Sequence, residues 1–495
     1  MSNGAAVSTD GSSGREQGRE RSFFGQPFAL VHIFGVEMWE RFSFYGMQGI
    51  LLLYMFYSVA EGGLGIPKPV AVGIVGAYGG SVYLATILGA WLADRLLGSE
   101  RTLFYSAIVV MAGHLALSLI PGVAGLGTGL ILIALGSGGV KANATSVVGT
   151  LYSEKDPRRD AGFSIFYLGI NLGAFLGPLL TGLLQTSFGF HVGFAVAAVG
   201  MAIGLIQYSF GRRSLPPEAK AVPNPLPAAH RLVMVLVAVG AVVLIVAAVL
   251  IGVLNADNLA DAVAVVTLAA SIAYFVIILS SKKISGLERR RVYSFIPMFI
   301  TSVAFWALYQ QQFTVVTLYA NDRLNLDLFG WQMPVAWVQS INPIFIIILS
   351  GVFAAIWTKW GDRQPATPYK FAAAAVVMGL AFLLFIPFSG TGAHGTPLLA
   401  LVGILFVFTI AELLLSPVGL SLSTKLAPAV FRTQMVALFF LSIALGTALS
   451  GILAGFYNET NEIPYFGISG LVAILVGGLL VIATPWVRRM MGGVR

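Results

Sequence analysis

The chain has no cysteine, and Asp, Glu, Lys and Arg together make up only 10% of its 495 residues, against about 25% in an ordinary soluble domain. Without cysteine there are no disulfides, no thiolate metal sites and no cysteine nucleophile. There is no H-E-x-x-H and no paired intramembrane aspartate motif, so neither a metal site nor an enzyme activity is expected. What fills the sequence instead is 57% hydrophobic residues. They come in runs of about twenty, long enough to cross a hydrocarbon core of ~30 Å as helices. The 57 glycines suit helix contacts in lipid, where small residues let backbones approach closely. These features predict an all-α polytopic membrane protein.

Fourteen spans are expected, at about 27–58, 70–97, 101–120, 126–150, 161–187, 191–211, 232–254, 259–280, 292–320, 333–358, 369–388, 397–427, 431–456 and 465–487. Prolines 67, 69, 216, 217, 365, 368 and 464 punctuate the connections. Residues 1–26 are polar and Gly/Ser-rich and read as a disordered cytoplasmic tail, not a cleaved signal.

The net charge of +8 is not a nucleic-acid signature, because its distribution is one-sided. With the N-terminus inside, 25 of the 29 Lys and Arg fall in cytoplasmic segments, among them Arg95, Arg101, Lys155, Arg158, Lys282, Arg291, Lys359, Arg363 and Arg488. Lys68 and Arg323 fall outside, and Arg41 and Lys141 fall within the membrane. This is the positive-inside pattern. It predicts cytoplasmic termini in a bacterial inner membrane, with the lipid bilayer as partner and no nucleic acid.

The proline-rich segment 212–231 ends a block of six spans, and a second block begins near Arg291. The expected units are a six-helix bundle over 27–212, a linker with two additional helices over 213–291, and a second six-helix bundle with a short tail over 292–495. The two intervening helices are plain Val/Ala/Leu/Ile sequence and are expected to face lipid. Six plus six helices around a central loop fit the major facilitator architecture, in which two repeated bundles rock about a midplane site. Gly89-Ala90-Trp91-Leu92-Ala93-Asp94-Arg95-Leu96-Leu97-Gly98 resembles that superfamily's loop between spans two and three, which makes Asp94 and Arg95 gate candidates.

Five ionisable residues stand where hydrocarbon should forbid them. The first span carries Glu37, Glu40 and Arg41, the fourth Lys141, and the second bundle Glu412. A charge at mid-bilayer costs at least ~2.5–3.5 kcal/mol, so such residues are functional by default. Glu37 and Arg41 lie four apart on one helical face and can pair. One arginine cannot neutralise two carboxylates. Three glutamates against two cations leave the interior at a formal −1, which one proton would neutralise. Lys141 and Glu412 are natural partners across the two halves, pairing when the bundles close. His32 and His114 read as hydrogen-bonded packing residues.

Three segments then carry a specific resemblance. Glu37-x-x-Glu40-Arg41-Phe42-x-x-Tyr45-Gly46, Gly138-Gly139-Val140-Lys141 and Phe166-Tyr167-Leu168-Gly169-Ile170-Asn171-Leu172-Gly173 are similar to signatures of the bacterial proton-dependent oligopeptide transporters. Phe305-Trp306, Ile341-Asn342-Pro343 and Glu412 with Ser416-Pro417 look like that family's cavity positions in the second half. Ser416-Pro417 is expected to interrupt its helix. The resemblance implies a symporter that imports di- and tripeptides by alternating access and is driven by the proton gradient. No other cofactor is implied, and a single copy is expected to suffice. It assigns Arg41 and Lys141 to the peptide carboxylate, and Glu412, Asn171 and Asn342 to the amino end. Tyr45, Tyr78, Tyr167 and Trp306, with Ser416, would shape side-chain pockets. Glu37, Glu40, Arg41, Lys141 and Glu412 would couple to protons. Gln48 and Gln310 depart from the family pattern, standing where many relatives carry an arginine and an acid. Plant relatives move nitrate, so another small anion is the alternative substrate.

Overall fold

A segment of about twenty apolar residues in lipid has to satisfy its own backbone, which only a helix or a closed barrel achieves. The computed structural model accordingly contains long helices; it describes residues 22–153 and 156–494. In order they are α1 Leu30–Phe56, α2 Lys68–Leu92, α3 Ser99–Leu119, α4 Gly122–Gly149, α5 Arg159–Phe188, α6 Phe190–Gly211, α7 Ala228–Leu250 and α8 Leu259–Ser280. The second half holds α9 Gly286–Tyr309, α10 Val315–Asp322, α11 Ile341–Trp360, α12 Thr367–Leu383, α13 Leu398–Lys425, α14 Arg432–Ala454 and α15 Glu462–Met490. Because α9 and α10 form one continuous span across a 3-10 turn, thirteen spans among the described residues are long and apolar enough to cross a membrane. The helix missing from that set is α1, which carries Glu37, Glu40 and Arg41; with it the expected fourteen are complete.

The first six helices pack among themselves, α1 against α5 and α6 and α3 against α4 and α6. The last group does likewise, α12 against α15, α13 and α9. This is the expected major facilitator fold: two six-helix bundles with two helices between them. Of the intervening pair, α7 buries no residue. In contrast, α8 is not simply lipid-facing. Ala260, Ala264, Thr267 and Ser271 are buried where α8 packs against α2 and α14, so it lies along the seam between the bundles.

Three local expectations are corrected. Residues 1–21 of the expected tail lie outside the described residues, as does Lys155. Residues 22–27 are not a tail, however: Ser22–Phe23 pairs antiparallel with Gln26–Pro27. The two-residue turn between them has positive φ at Phe24 and Gly25, as a tight hairpin demands, and buried Gln26 accepts a hydrogen bond from Tyr152 Oη at 3.0 Å. The expected span 333–358 begins as a 3-10 segment, Val335–Ser340, before α11. Finally, α13 runs unbroken through Pro417; Ser416-Pro417 does not interrupt it, because neighbouring helices can re-satisfy a backbone carbonyl that proline frees.

The bundles meet at the end away from the basic loops. There Lys68 Nζ pairs with Asp322 Oδ2 at 2.7 Å, and Tyr57 Oη donates to Asn321 Oδ1 at 2.7 Å. Trp337 Nε1 donates to Leu179 O at 2.9 Å, and Ser340 Oγ donates to Phe175 O at 2.8 Å. Glycines allow the closest approach: a Cβ on Gly76 of α2 would fall 2.5 Å from Gly451 Cα of α14. Because that obstacle is backbone, Gly76→Val must push the two helices apart. Overpacking of this kind costs ~1–3 kcal/mol, so the variant is expected to melt at a lower temperature in detergent than the parent, measured by scanning fluorimetry.

Candidate binding cavity

The charged residues of α1 are held by close helix packing, and the motif glycines explain it. A Cβ on Gly173 of α5 would lie 3.0 Å from Arg41 Cβ and 2.9 Å from Phe42 N; one on Gly46 of α1 would lie 2.7 Å from Thr181 Cγ2. A Cβ on Gly89 of α2 would lie 2.6 Å from Gly139 Cα of α4. These positions must be glycine for α1 to sit on α5 and α2 on α4. In the resulting core Arg41 Nε donates to Glu37 Oε1 at 2.8 Å and lies 3.0 Å from Glu40 Oε2. The second contact is electrostatic, without hydrogen-bond geometry. Ser137 Oγ of α4 donates to Glu40 Oε1 at 2.6 Å, which ties the cluster to the helix turn that also bears Lys141. All three charged side chains are buried, and Arg41 Nη2, Glu37 Oε2 and Glu40 Oε2 have no hydrogen-bond partner.

A cavity of about 210 Å³ lies between the bundles. The first bundle contributes Tyr45, Tyr83, Lys141, Tyr167 and Asn171 to its wall, and the second Trp306, Tyr309, Asn342, Glu412 and Ser416. Lys141 Nζ sits 4.4 Å from the Tyr83 ring centroid and 5.8 Å from that of Phe44. It does not pair with Glu412 here. Glu412 is held by its own bundle: its Oε2 accepts from Tyr309 Oη at 2.7 Å and Asn342 Nδ2 at 3.3 Å. Asn342 Nδ2 also reaches Thr409 Oγ1 at 3.0 Å. An ammonium and a carboxylate therefore face one cavity from opposite bundles, each held by neutral groups. Asn171 Nδ2 donates to Tyr167 O at 3.0 Å, and Tyr167 is 43% exposed, at the mouth.

Several residues singled out in the sequence sit elsewhere than expected in this geometry. Arg41 and Tyr78 are buried and absent from the cavity wall. Two carboxylates on its own helix engage the arginine, and Tyr78 lies stacked on Phe44 at 6.1 Å. Among the described residues the side chains of Asp94 and Arg95 make no hydrogen bond or ion pair. Their carbonyls instead accept from Asn224 N at 3.0 Å and Leu226 N at 2.9 Å, which docks the linker on the loop. The partner at that loop is Glu100, doubly bonded by Arg212 at 2.6 and 3.0 Å. His32 and His114 are not satisfied polar packing: His32 Nδ1 and both ring nitrogens of His114 are buried without partners. Tyr83, Tyr309, Gln312 and Gln339 also line the cavity, and sequence reasoning missed them. Tyr309 follows Trp306 by three residues, the spacing of one helical face, and that was the available signal.

Comparison with known proteins agrees with this geometry. The family model PTR2, described as the POT family, matches residues 100–472. A protein of Bacillus subtilis named "Uncharacterized transporter YclF" is 41% identical over 96% of this chain and 97% of its own length. The "Di-/tripeptide transporter" of Lactococcus lactis subsp. cremoris is 38% identical over 96% of this chain and 99% of its own. A crystal structure described as peptide transporter POT in complex with sulfate superposes with a TM-score of 0.91 at 44% identity, covering 96% of this chain and 98% of that one.

Buried Arg41 and half-buried Lys141 differ in what they neutralise. Arg41→Ala would strand two buried carboxylates, and breaking such a pair costs ~3–5 kcal/mol. Lys141→Ala strands none. Thermal melts in detergent are expected to fall strongly for Arg41→Ala and much less for Lys141→Ala.

Proposed function

The chain belongs to the POT family, and on that premise we propose that it is a proton-coupled symporter importing di- and tripeptides by alternating access through this cavity. The observation that carries the proposal is the placement of Lys141 and Glu412. A zwitterion needs a cation at one end and an anion at the other. Desolvated, charge-assisted hydrogen bonds are the strong ones. Aromatic and apolar walls accept varied side chains because hydrophobic contact is non-directional. Lys141 takes the peptide carboxylate; Glu412, with Asn342 and Asn171, takes the ammonium. Tyr45, Tyr167 and Trp306 form the side-chain walls, with Ser416 beside Glu412.

The Glu37–Glu40–Arg41 cluster serves the proton. It lies behind the wall, so its link to the cavity is indirect, through Ser137 and the turn carrying Lys141. One proton neutralises the interior charge. Glu40 is the carboxylate nearest that link, since it alone bonds across to α4. Transport has no enzymatic step and no cofactor beyond the proton gradient, and a single chain carries it out. The one-sided distribution of basic loops supports a reading in which both termini and the open end of the cavity face the cytoplasm of a bacterial inner membrane. Return to the outside requires the Lys68–Asp322 end to part while Lys141 and Glu412 draw together.

Liposomes with an imposed inward proton gradient test the reading. Concentrative uptake of a dipeptide is expected, with no stimulated uptake of nitrate; the reverse pattern would establish the anion alternative. Glu40→Gln is expected to abolish gradient-driven accumulation while leaving part of the peptide exchange at equal concentrations, because exchange need not cycle the proton. Accumulation equal to the parent's would place the proton elsewhere.

Glu412→Gln separates the amino-end role from a purely conformational one. An ordinary dipeptide is expected to bind more weakly by ~2–5 kcal/mol, the range for removing one partner of a buried charge pair. An N-acetylated dipeptide, which has no ammonium, should lose little. Equal losses for the two ligands in a competition assay would show that Glu412 does not contact the amino end.

A further inference from the structure

A second cavity, of about 380 Å³, lies between α11, α12 and α13 beside the turn Gly361–Arg363. It is far from the closed end. α11 starts there, where Ser340 bonds across to α5, and its 20 residues carry the chain about 30 Å away. The wall holds Trp357 of α11, Gln364 of the connection, Thr367 and Lys370 of α12, and Lys425 of α13. Its charge is of one sign. Lys370 is half-buried and Lys425 exposed, and Lys425 is near enough to act electrostatically on Lys370. Among the described residues no carboxylate lines this cavity and none pairs with either ammonium.

The lysine deeper in the cleft is held in place by neutral groups. Gln364 Nε2 donates to Trp357 O at 2.8 Å, which turns the amide oxygen toward α12. Lys370 Nζ donates to that oxygen at 2.8 Å and sits 4.1 Å from the Trp357 ring centroid. An ammonium has three N–H donors. Gln364 takes one from Lys370, and no described side chain or carbonyl takes any from Lys425. The first turn of α12 has no side-chain cap. Thr367 of that turn borders the cavity, so the positive end of the helix dipole adds to the two lysines. A cleft lined by one sign of charge concentrates counter-ions, and free ammonium donors beside a helix opening suit a phosphate group.

The surface beside the cleft indicates what carries the phosphate. Along α11 from Trp357, Phe353 lies at 6.1 Å. On the adjoining face Ile348, Val352 and Ile356 are 58%, 48% and 36% exposed. Their spacing of four makes one apolar strip, which runs from the basic cleft along the span. Trp360, 5.6 Å from Trp357, adds an amphipathic ring of the kind that sits at headgroup level. A free phosphate ion would use the cleft and leave the strip idle.

We propose that this cleft binds the phosphate of an anionic phospholipid, with the acyl chains lying along α11. Basic pockets between transmembrane helices recognise lipid headgroups in this way. The inference needs only that the chain spans a bilayer, and it is independent of what the central cavity carries. α11 and α13 also bear Asn342 and Glu412 of that cavity, so a lipid seated here ties together two helices that line it.

The test uses the full chain in detergent and native mass spectrometry with phosphatidylglycerol and phosphatidylcholine of identical acyl chains. Preferential retention of phosphatidylglycerol is expected; equal retention of the two would overturn the proposal. Lys425→Gln removes an exposed side chain with no partner and should leave the fold intact. It is expected to weaken phosphatidylglycerol binding about fivefold, the worth of one lysine at an anionic surface, and adding Lys370→Gln should weaken it further. Lys282→Gln/Lys283→Gln removes two exposed charges from the turn between α8 and α9 and should change nothing. An equal loss in that control would reduce the effect to general surface charge and overturn the site, as would undiminished binding in Lys425→Gln. In thermal melts, phosphatidylglycerol should stabilise the parent and inorganic phosphate at the same concentration should not. Equal stabilisation by phosphate would make the cleft a free-anion site and overturn the lipid assignment.

Discussion

One arginine held between two glutamates on a single transmembrane helix sets the terms for the rest of the molecule. Three charges on α1 can persist in a low-dielectric interior only if they neutralise one another and are shielded from lipid. The arginine bonds one carboxylate and lies against the other, and the cluster still retains an excess negative charge. The surrounding bundle must therefore wrap α1, which explains why α1, though not among the thirteen long apolar spans, contains an unbroken run of buried residues from Gly46 to Met55. It also explains why a serine from α4 reaches in at 2.6 Å. The same saturation keeps Arg41 out of the cavity wall, so the cation that faces the cavity from this bundle is Lys141.

The glycines around these charges are part of the same constraint. Gly46, Gly173 and Gly177 bring α1 and α5 together, Gly89 and Gly138 do so for α2 and α4, and Gly139 makes room for Ser106 of α3. Without hydrophobic drive between helices in lipid, association depends on close packing, and a charged core gains from every ångström that excludes solvent. A sequence motif that mixes Glu, Arg, Lys and Gly thus has two layers. The charged members do the chemistry, and the glycines hold them at the right separation.

The two ends of the seam between bundles are built differently. At the closed end the ion pair Lys68–Asp322 is partly solvated, with the lysine side chain 42% exposed, and pairs of that kind are worth only ~0–1 kcal/mol. The remaining contacts are a few hydrogen bonds and the Gly76–Gly451 crossing. A seam held by modest, separable contacts can open in a transport cycle, whereas within each bundle the helix ends are tied by ion pairs whose carboxylates are buried, Arg323–Glu462 and Arg212–Glu100. α8 lies along the α2–α14 part of that seam, with Val263 Cγ1 3.0 Å from where a Cβ on Gly80 would be. Any movement of one bundle against the other must pass that helix.

Hydropathy and periodicity are properties of contiguous residues, and what depends on them was legible from the chain alone. Fourteen spans, a two-bundle arrangement, the one-sided basic loops and the five ionisable residues within the membrane all follow from the cost of charge and unpaired backbone in hydrocarbon. The pairing of Glu37 with Arg41 was legible too, because four residues is one helical turn. What the tertiary structure alone decided is which side chain faces which neighbour across helices far apart in sequence. It placed Arg41 and Tyr78 behind the wall, left Lys141 and Glu412 facing one cavity without touching, and gave Glu412 to Tyr309 and Asn342. It ran α13 straight through Pro417, and it brought Gln48, Gln310, Gln312 and Gln339 to the cavity wall. A helical sequence fixes the angle at which each side chain leaves its own axis. The rotation of that helix against its neighbours is set by glycine contacts and charge pairing across the whole bundle, and no local stretch of sequence contains it.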